Sequence, residues 1–143
     1  MAHVLVADDS PTVRHVLGPI LRNASHVVSE ATDGEETLAA LNASPYPLVV
    51  LLDVVMPKLG GIGVLHAMES SPTLRDRHAF ILMTATPNAV PPRAVVDLLE
   101  HFSIPLVVKP LDTAYLLRLV DQAAERLSSV TVHDQDRNHK DTV

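Results

Sequence analysis

Pro47-Leu-Val-Val-Leu-Leu-Asp53 is the stretch that decides how this chain folds. A continuous aliphatic run without polar alternation fits a strand covered on both faces, as in a parallel sheet. The run stops on a carboxylate, and three similar runs stop on reactive groups too. His3-Val-Leu-Val-Ala7 leads into Asp8-Asp9, Ala79-Phe-Ile-Leu-Met83 into Thr84, and Ile104-Pro-Leu-Val-Val108 into Lys109. As parallel strands, their carboxyl ends share one sheet edge, which is where open α/β sheets bind ligands. Three carboxylates, a hydroxyl and an ammonium gathered there suit a divalent cation and a phosphoryl group. An aspartate can attack phosphorus to give an acyl phosphate. Phosphoryl transfer depends on positioning and charge neutralisation. Magnesium takes hard oxygen ligands and keeps several waters.

The segments between the runs carry helical marks. Asp9 or Ser10 can cap a helix over about 11–23 with Pro11 in its first turn. Asp33 can cap a second, with Glu35 and Glu36 near its positive end, running to about Asn42. Gly61–Ser70 reads as a third, and Pro91-Pro92 opens a fourth that continues to about Phe102. Asp112 caps a fifth whose Leu116, Leu119, Val120, Ala123, Ala124 and Leu127 recur at helical spacing. Ser25–Glu30 is a weaker strand between the first two helices. These β-α units predict a single α/β domain, a doubly wound five-stranded parallel sheet with helices on both faces. The polar second strand, and the fifth with Pro105 in it, read as edges, which is the flavodoxin-like order 2-1-3-4-5. Pro19 removes a backbone bond and crowds the carbonyl of His15, so a kink or early break is expected there. The domain is expected over 1–128, and the polar residues 129–143 as a fraying tail.

Composition narrows the function. At 143 residues the chain makes one ordinary domain, and with 47% hydrophobic but only 3% aromatic residues its core must be aliphatic. A formal net charge of −6 argues against a nucleic-acid partner, which needs clustered basic surface. The absence of cysteine excludes disulfides and thiolate metal sites. No apolar segment approaches the roughly 20 residues of a membrane span, and no signal-peptide pattern opens the chain, so a cytoplasmic location is the expectation. The eight histidines are scattered, which disfavours a histidine metal site. Gly60, Gly61 and Gly63 lack dinucleotide-loop spacing.

Together the four strand endings resemble the receiver domain of bacterial two-component response regulators, over about residues 2–127. Val4-Leu-Val-Ala-Asp-Asp-Ser10 is similar to the acidic pair, and Leu52-Asp53-Val-Val-Met-Pro57 to the phosphoacceptor segment. Leu82-Met-Thr-Ala85 is similar to the hydroxyl segment, and Val107-Val-Lys-Pro110 to the lysine-proline end. The resemblance implies a stand-alone, chemotaxis-regulator-like switch, not a turnover enzyme on an external substrate. Asp53 would accept the phosphoryl group from a histidine kinase or histidine phosphotransfer protein. Asp9 and Asp53 would ligate Mg²⁺ directly, Asp8 mainly through water, and the carbonyl of Val55 would complete the protein's share. Thr84 and Lys109 would contact phosphoryl oxygens. An unknown downstream protein would dock on the face of the fourth helix, fifth strand and fifth helix.

Three departures from the pattern stand out. Leu106 stands at the switch position, three residues before the lysine, where receivers usually carry an aromatic residue. Gly60 stands where an aspartate commonly precedes the glycine, which implies a different turn. Val54 and Val55 follow Asp53 where polar residues are frequent, and are expected to hinder attacking water and prolong the phosphorylated state. Leu106 and Gly60 motivate an alternative, a receiver-like interaction module that no longer uses phosphorylation. An aspartate-nucleophile phosphatase shares the strand-end aspartate and lysine, but such enzymes carry an acid where Val55 stands.

Overall fold

The computed structural model describes residues 1–85 and 93–141. Five parallel strands form one sheet in the order β2-β1-β3-β4-β5. They are β1 (His3–Ala7), β2 (Val27–Ala31), β3 (Leu48–Asp53), β4 (Ala79–Thr84) and β5 (Leu106–Val108). The helices are α1 (Pro11–Asn23), α2 (Gly34–Ala43), α3 (Gly61–Glu69), α4 (Pro72–Arg77), α5 (Arg93–His101) and α6 (Thr113–Asp141). This is the flavodoxin-like sheet expected, with the second and fifth strands at the edges.

Side chains alternate across a strand, so each central strand feeds two cores. Leu5, Ala7, Val50, Leu52 and Leu82 pack on one face with Leu41 of α2, Val64, Leu65 and Met68 of α3, and Leu98 and Leu99 of α5. Val4, Val6, Val49, Leu51, Ile81 and Met83 pack on the other with Leu17 and Leu21 of α1 and Leu116, Val120 and Ala123 of α6. All six residues of β3 are buried. Full burial of each such Val or Leu contributes about 1.5–3 kcal/mol. β3 is therefore the fixed reference for everything at its carboxyl end.

Four details differ from the sequence expectation. α1 runs unbroken through Pro19, because Leu17 and Leu21 on either side of it are fully packed and hold the helix together. α4 is an additional element; Pro72 occupies its first turn, and its six residues are too few to show a period. The helix expected fourth is thus α5, and that expected fifth is α6. α6 continues to Asp141 instead of ending near Ser128, and residues 129–141 hold neither proline nor glycine to stop it. β5 begins at Leu106, leaving Pro105 outside the strand, with its carbonyl accepting from Leu82 N–H at 2.9 Å. The opening at Pro91-Pro92 lies outside the described residues.

Candidate functional site

Strand register sets the site. Ala7 pairs with Leu52, so Asp8 follows β1 at the level of Asp53, the last residue of β3. Asp53 pairs with Met83, and Thr84 follows it at the end of β4. Thr84 pairs with Val108, and its carbonyl accepts from Lys109 N–H at 2.7 Å. The Lys109–Pro110 peptide is cis.

The carboxylates of Asp8, Asp9 and Asp53 converge, each offering an oxygen within 4.8 Å of the others. Asp8 is fully buried and Asp53 is 6% exposed, whereas Asp9 faces solvent. Lys109 reaches into the group from β5, with Nζ 2.7 Å from Asp8 Oδ2 and 3.4 Å from Asp53 Oδ1. Thr84 is buried at the same edge. Val55 lies two residues beyond Asp53 with an exposed side chain, and Val54 is half-buried. Leu106 opens β5, opposite Leu82, and lines a groove with Val96, Leu99 and Ile104 rather than the acidic site.

The electrostatics follow from this packing. Burial, with the charge of Asp8 adding to it, pushes the Asp53 carboxyl up from 3.8 to about 6 against the pull of Lys109. Burial lowers the Lys109 ammonium, but its bond to Asp8 and the charges of Asp53 and Asp8 outweigh that, and its pKa is raised. Lys109 therefore stays charged, and the cluster still carries excess negative charge that favours a cation.

Local bonds hold the frame. Asp8 N–H donates to Ala31 O at 3.1 Å, and Asp8 Oδ1 accepts from Ser10 N–H at 2.9 Å. Val54 N–H donates to Met83 O at 2.9 Å, tying the start of the loop after Asp53 to β4. A Cβ at Gly60 would lie 2.5 Å from the Val54 carbonyl oxygen, so this turn excludes the aspartate seen elsewhere at that position. Gly60 consequently precedes α3 without a side-chain cap. Arg14 is the residue that sequence reasoning passed over. Its Nη1 donates to Asp8 O at 2.7 Å while Nε lies 3.2 Å from Glu30 Oε1. The only sequence signal was a cation one turn into the helix that follows an acidic pair.

At the opposite edge of the sheet, His78 Nδ1 accepts from Leu48 N–H at 2.9 Å and Nε2 donates to Leu41 O at 3.0 Å. His26 Nδ1 accepts from Ala2 N–H at 3.0 Å. Both rings accept a backbone N–H at the edge opposite the acidic cluster, and His26 Nε2 also lies 3.4 Å from Asp121 Oδ1 of α6.

Known proteins place this arrangement in a family. The response regulator receiver domain profile matches residues 4–121. A protein-glutamate methylesterase/protein-glutamine glutaminase of Pseudomonas savastanoi is 32% identical over 89% of this chain and 34% of its own length. A probable chemotaxis protein CheY of Rhizobium etli is 36% identical over 57% of this chain and 63% of its own. The chain thus spans only part of these relatives. The response regulator TrrA of Thermotoga maritima, solved with Mg²⁺ and BeF, is 28% identical with a TM-score of 0.71, covering 86% of this chain and 99% of that one. A Francisella receiver domain has a TM-score of 0.75 at 24% identity, over 88% and 98% of the two chains, a likeness of fold. With the profile spanning most of its length, the chain belongs to the response regulator receiver domain family of two-component signalling.

Proposed function

We propose that this receiver is a phosphorylation-controlled switch in which Asp53 takes a phosphoryl group from a histidine kinase or histidine phosphotransfer protein. The observation that carries the reading is the convergence of three carboxylate oxygens within 4.8 Å, with Lys109 Nζ 2.7 Å from Asp8. That donor set fits Mg²⁺: hard oxygens, crowded negative charge, and one open, exposed carboxylate at the mouth. Asp8, Asp9, Asp53 and the Val55 carbonyl would hold it, and bound there it neutralises charge on the transferring oxygens. The magnesium and BeF of the Thermotoga structure support this assignment.

Asp53 acts as the nucleophile. An oxygen of its carboxylate forms the bond to phosphorus as the bond to the donor nitrogen breaks. In the metal-free fold burial raises its carboxyl to about 6, which still leaves it ionised at neutral pH and able to attack. Lys109 is held by Asp8 and supplies a fixed positive charge within reach of the incoming group. Thr84 offers a hydroxyl to a phosphoryl oxygen, and its shift biases the α5–β5–α6 face where a downstream protein docks. Leu106 on that face replaces an aromatic reporter with an aliphatic one. The test is acetyl phosphate with Mg²⁺: wild type gains phosphate and Asp53→Ala does not. Equal labelling of the two proteins removes the assignment.

A further inference from the structure

Of the three acids, Asp9 is the least secured. Its carboxylate is exposed, and among the described residues no hydrogen bond or ion pair holds it. The peptide group before it, by contrast, is held. The peptide group is planar, so the direction of the Asp8 carbonyl sets the plane that carries the Asp9 nitrogen and Cα. That carbonyl lies just past the last residue of β1 and accepts from Arg14 Nη1 at 2.7 Å. The guanidinium is itself oriented by Glu30, at 3.2 Å from its Nε, and the Arg14 side chain is 15% exposed. One planar fork therefore joins α1, the end of β1 and the end of β2 behind the acidic cluster.

We propose that Arg14 is a positioning residue for the cation site: by gripping the Asp8 carbonyl it sets the peptide that aims Asp9, with Glu30 holding Arg14 in place. The inference rests on the Mg²⁺ reading of that site. Its sign separates it from simple electrostatics. Removing a positive charge near a dication site tightens binding by charge alone. Removing the residue that aims a ligand weakens binding, and loss of an outer partner of this kind costs roughly 10-fold or more in metal affinity.

The experiment is Mg²⁺ titration of the unphosphorylated full chain, followed by calorimetry and by the amide signals of Asp8, Asp9, Ser10 and Val54. Wild type, Arg14→Met, Arg14→Lys, Glu30→Gln and Asp9→Ala are compared, with melting curves without Mg²⁺ alongside. The dissociation constant is expected to rise about 10-fold in Arg14→Met. Arg14→Lys falls between, because one ammonium can meet the carbonyl but cannot fork to Glu30 as well. Glu30→Gln weakens binding by less than Arg14→Met. Phosphorylation by acetyl phosphate shifts in its half-saturating Mg²⁺ concentration, not in its rate at saturation. Unchanged or tighter Mg²⁺ binding in Arg14→Met while wild type and Asp9→Ala differ overturns the role of Arg14 alone. A weakening that tracks a general loss of thermal stability, with no rescue by lysine, overturns it as well. Absence of Mg²⁺ binding by wild type at millimolar concentration overturns the cation reading and this inference with it.

Discussion

Replacing Asp53 by asparagine should stabilise the metal-free protein, by an amount that grows from about pH 4 and is full at neutral and higher pH. The carboxyl sits at about 6 in the fold against 3.8 when free, so its ionised form is disfavoured by burial and by Asp8. At about 1.4 kcal/mol per pH unit the full penalty is roughly 3 kcal/mol, and screening by water at the mouth of the site brings it to about 1–2 kcal/mol. A raised carboxyl means that the folded state binds its proton more tightly than the unfolded chain does. Wild type therefore loses stability as pH climbs from about 4 through 6, while Asp53→Asn does not titrate. The advantage of the variant is complete above pH 7, about 2–8 °C in Tm, and gone near pH 4. Urea unfolding in EDTA, followed by far-UV circular dichroism because the chain has no tryptophan, measures it at both ends. Adding Mg²⁺ should narrow the gap by stabilising wild type selectively. Equal stabilities at pH 8, or a gap that does not change between pH 4.5 and 8, refute the reasoning.

Lys109→Met leaves fully buried Asp8 without its 2.7 Å partner, and an uncompensated buried charge costs roughly 3–5 kcal/mol in urea titrations; a loss under about 1 kcal/mol would show that Asp8 is satisfied without the lysine. His78 is held neutral, its pKa lowered chiefly by burial, so its contribution is present above pH 6.5 and is lost as pH falls below that value. Asparagine there keeps an acceptor near Leu48 N–H and cannot titrate, so the urea midpoint of His78→Asn should change less between pH 7.5 and 5.5 than that of wild type. Val55→Asn puts a polar group at the mouth of the site and should shorten the lifetime of phosphorylated Asp53, read by loss of label after the donor is removed; a wild-type half-life of only seconds contradicts the shielding role of the valines.

The sheet and the acidic edge were legible because each is written in contiguous residues. Leu48–Leu52 states burial on both faces, and Asp53 follows it directly; the same holds for Val4–Ala7 with Asp8. Register then brings the four endings level. Contacts made across space were not legible. The grip of Arg14 on Asp8 and Glu30 depends on how α1 crosses β2, and the Leu48 N–H bond to His78 joins residues 30 apart. Pro19 was read from local propensity, which the packing of Leu17 and Leu21 overrides. α4 has too few residues to display a period, and the reach of α6 past Ser128 depends on the absence of a breaker more than on any apolar stripe.

β5 has three residues, pairs with β4 alone, and delivers Lys109. Short edge strands open with less free energy than strands paired on both sides. Its amides should therefore exchange with deuterium sooner than those of β1 and β3. Phosphoryl contacts to Lys109 would pin that strand and slow its exchange. If Lys109 contacts the phosphoryl group as proposed, the chemistry of the site would be converted into local order along this three-residue edge of the sheet.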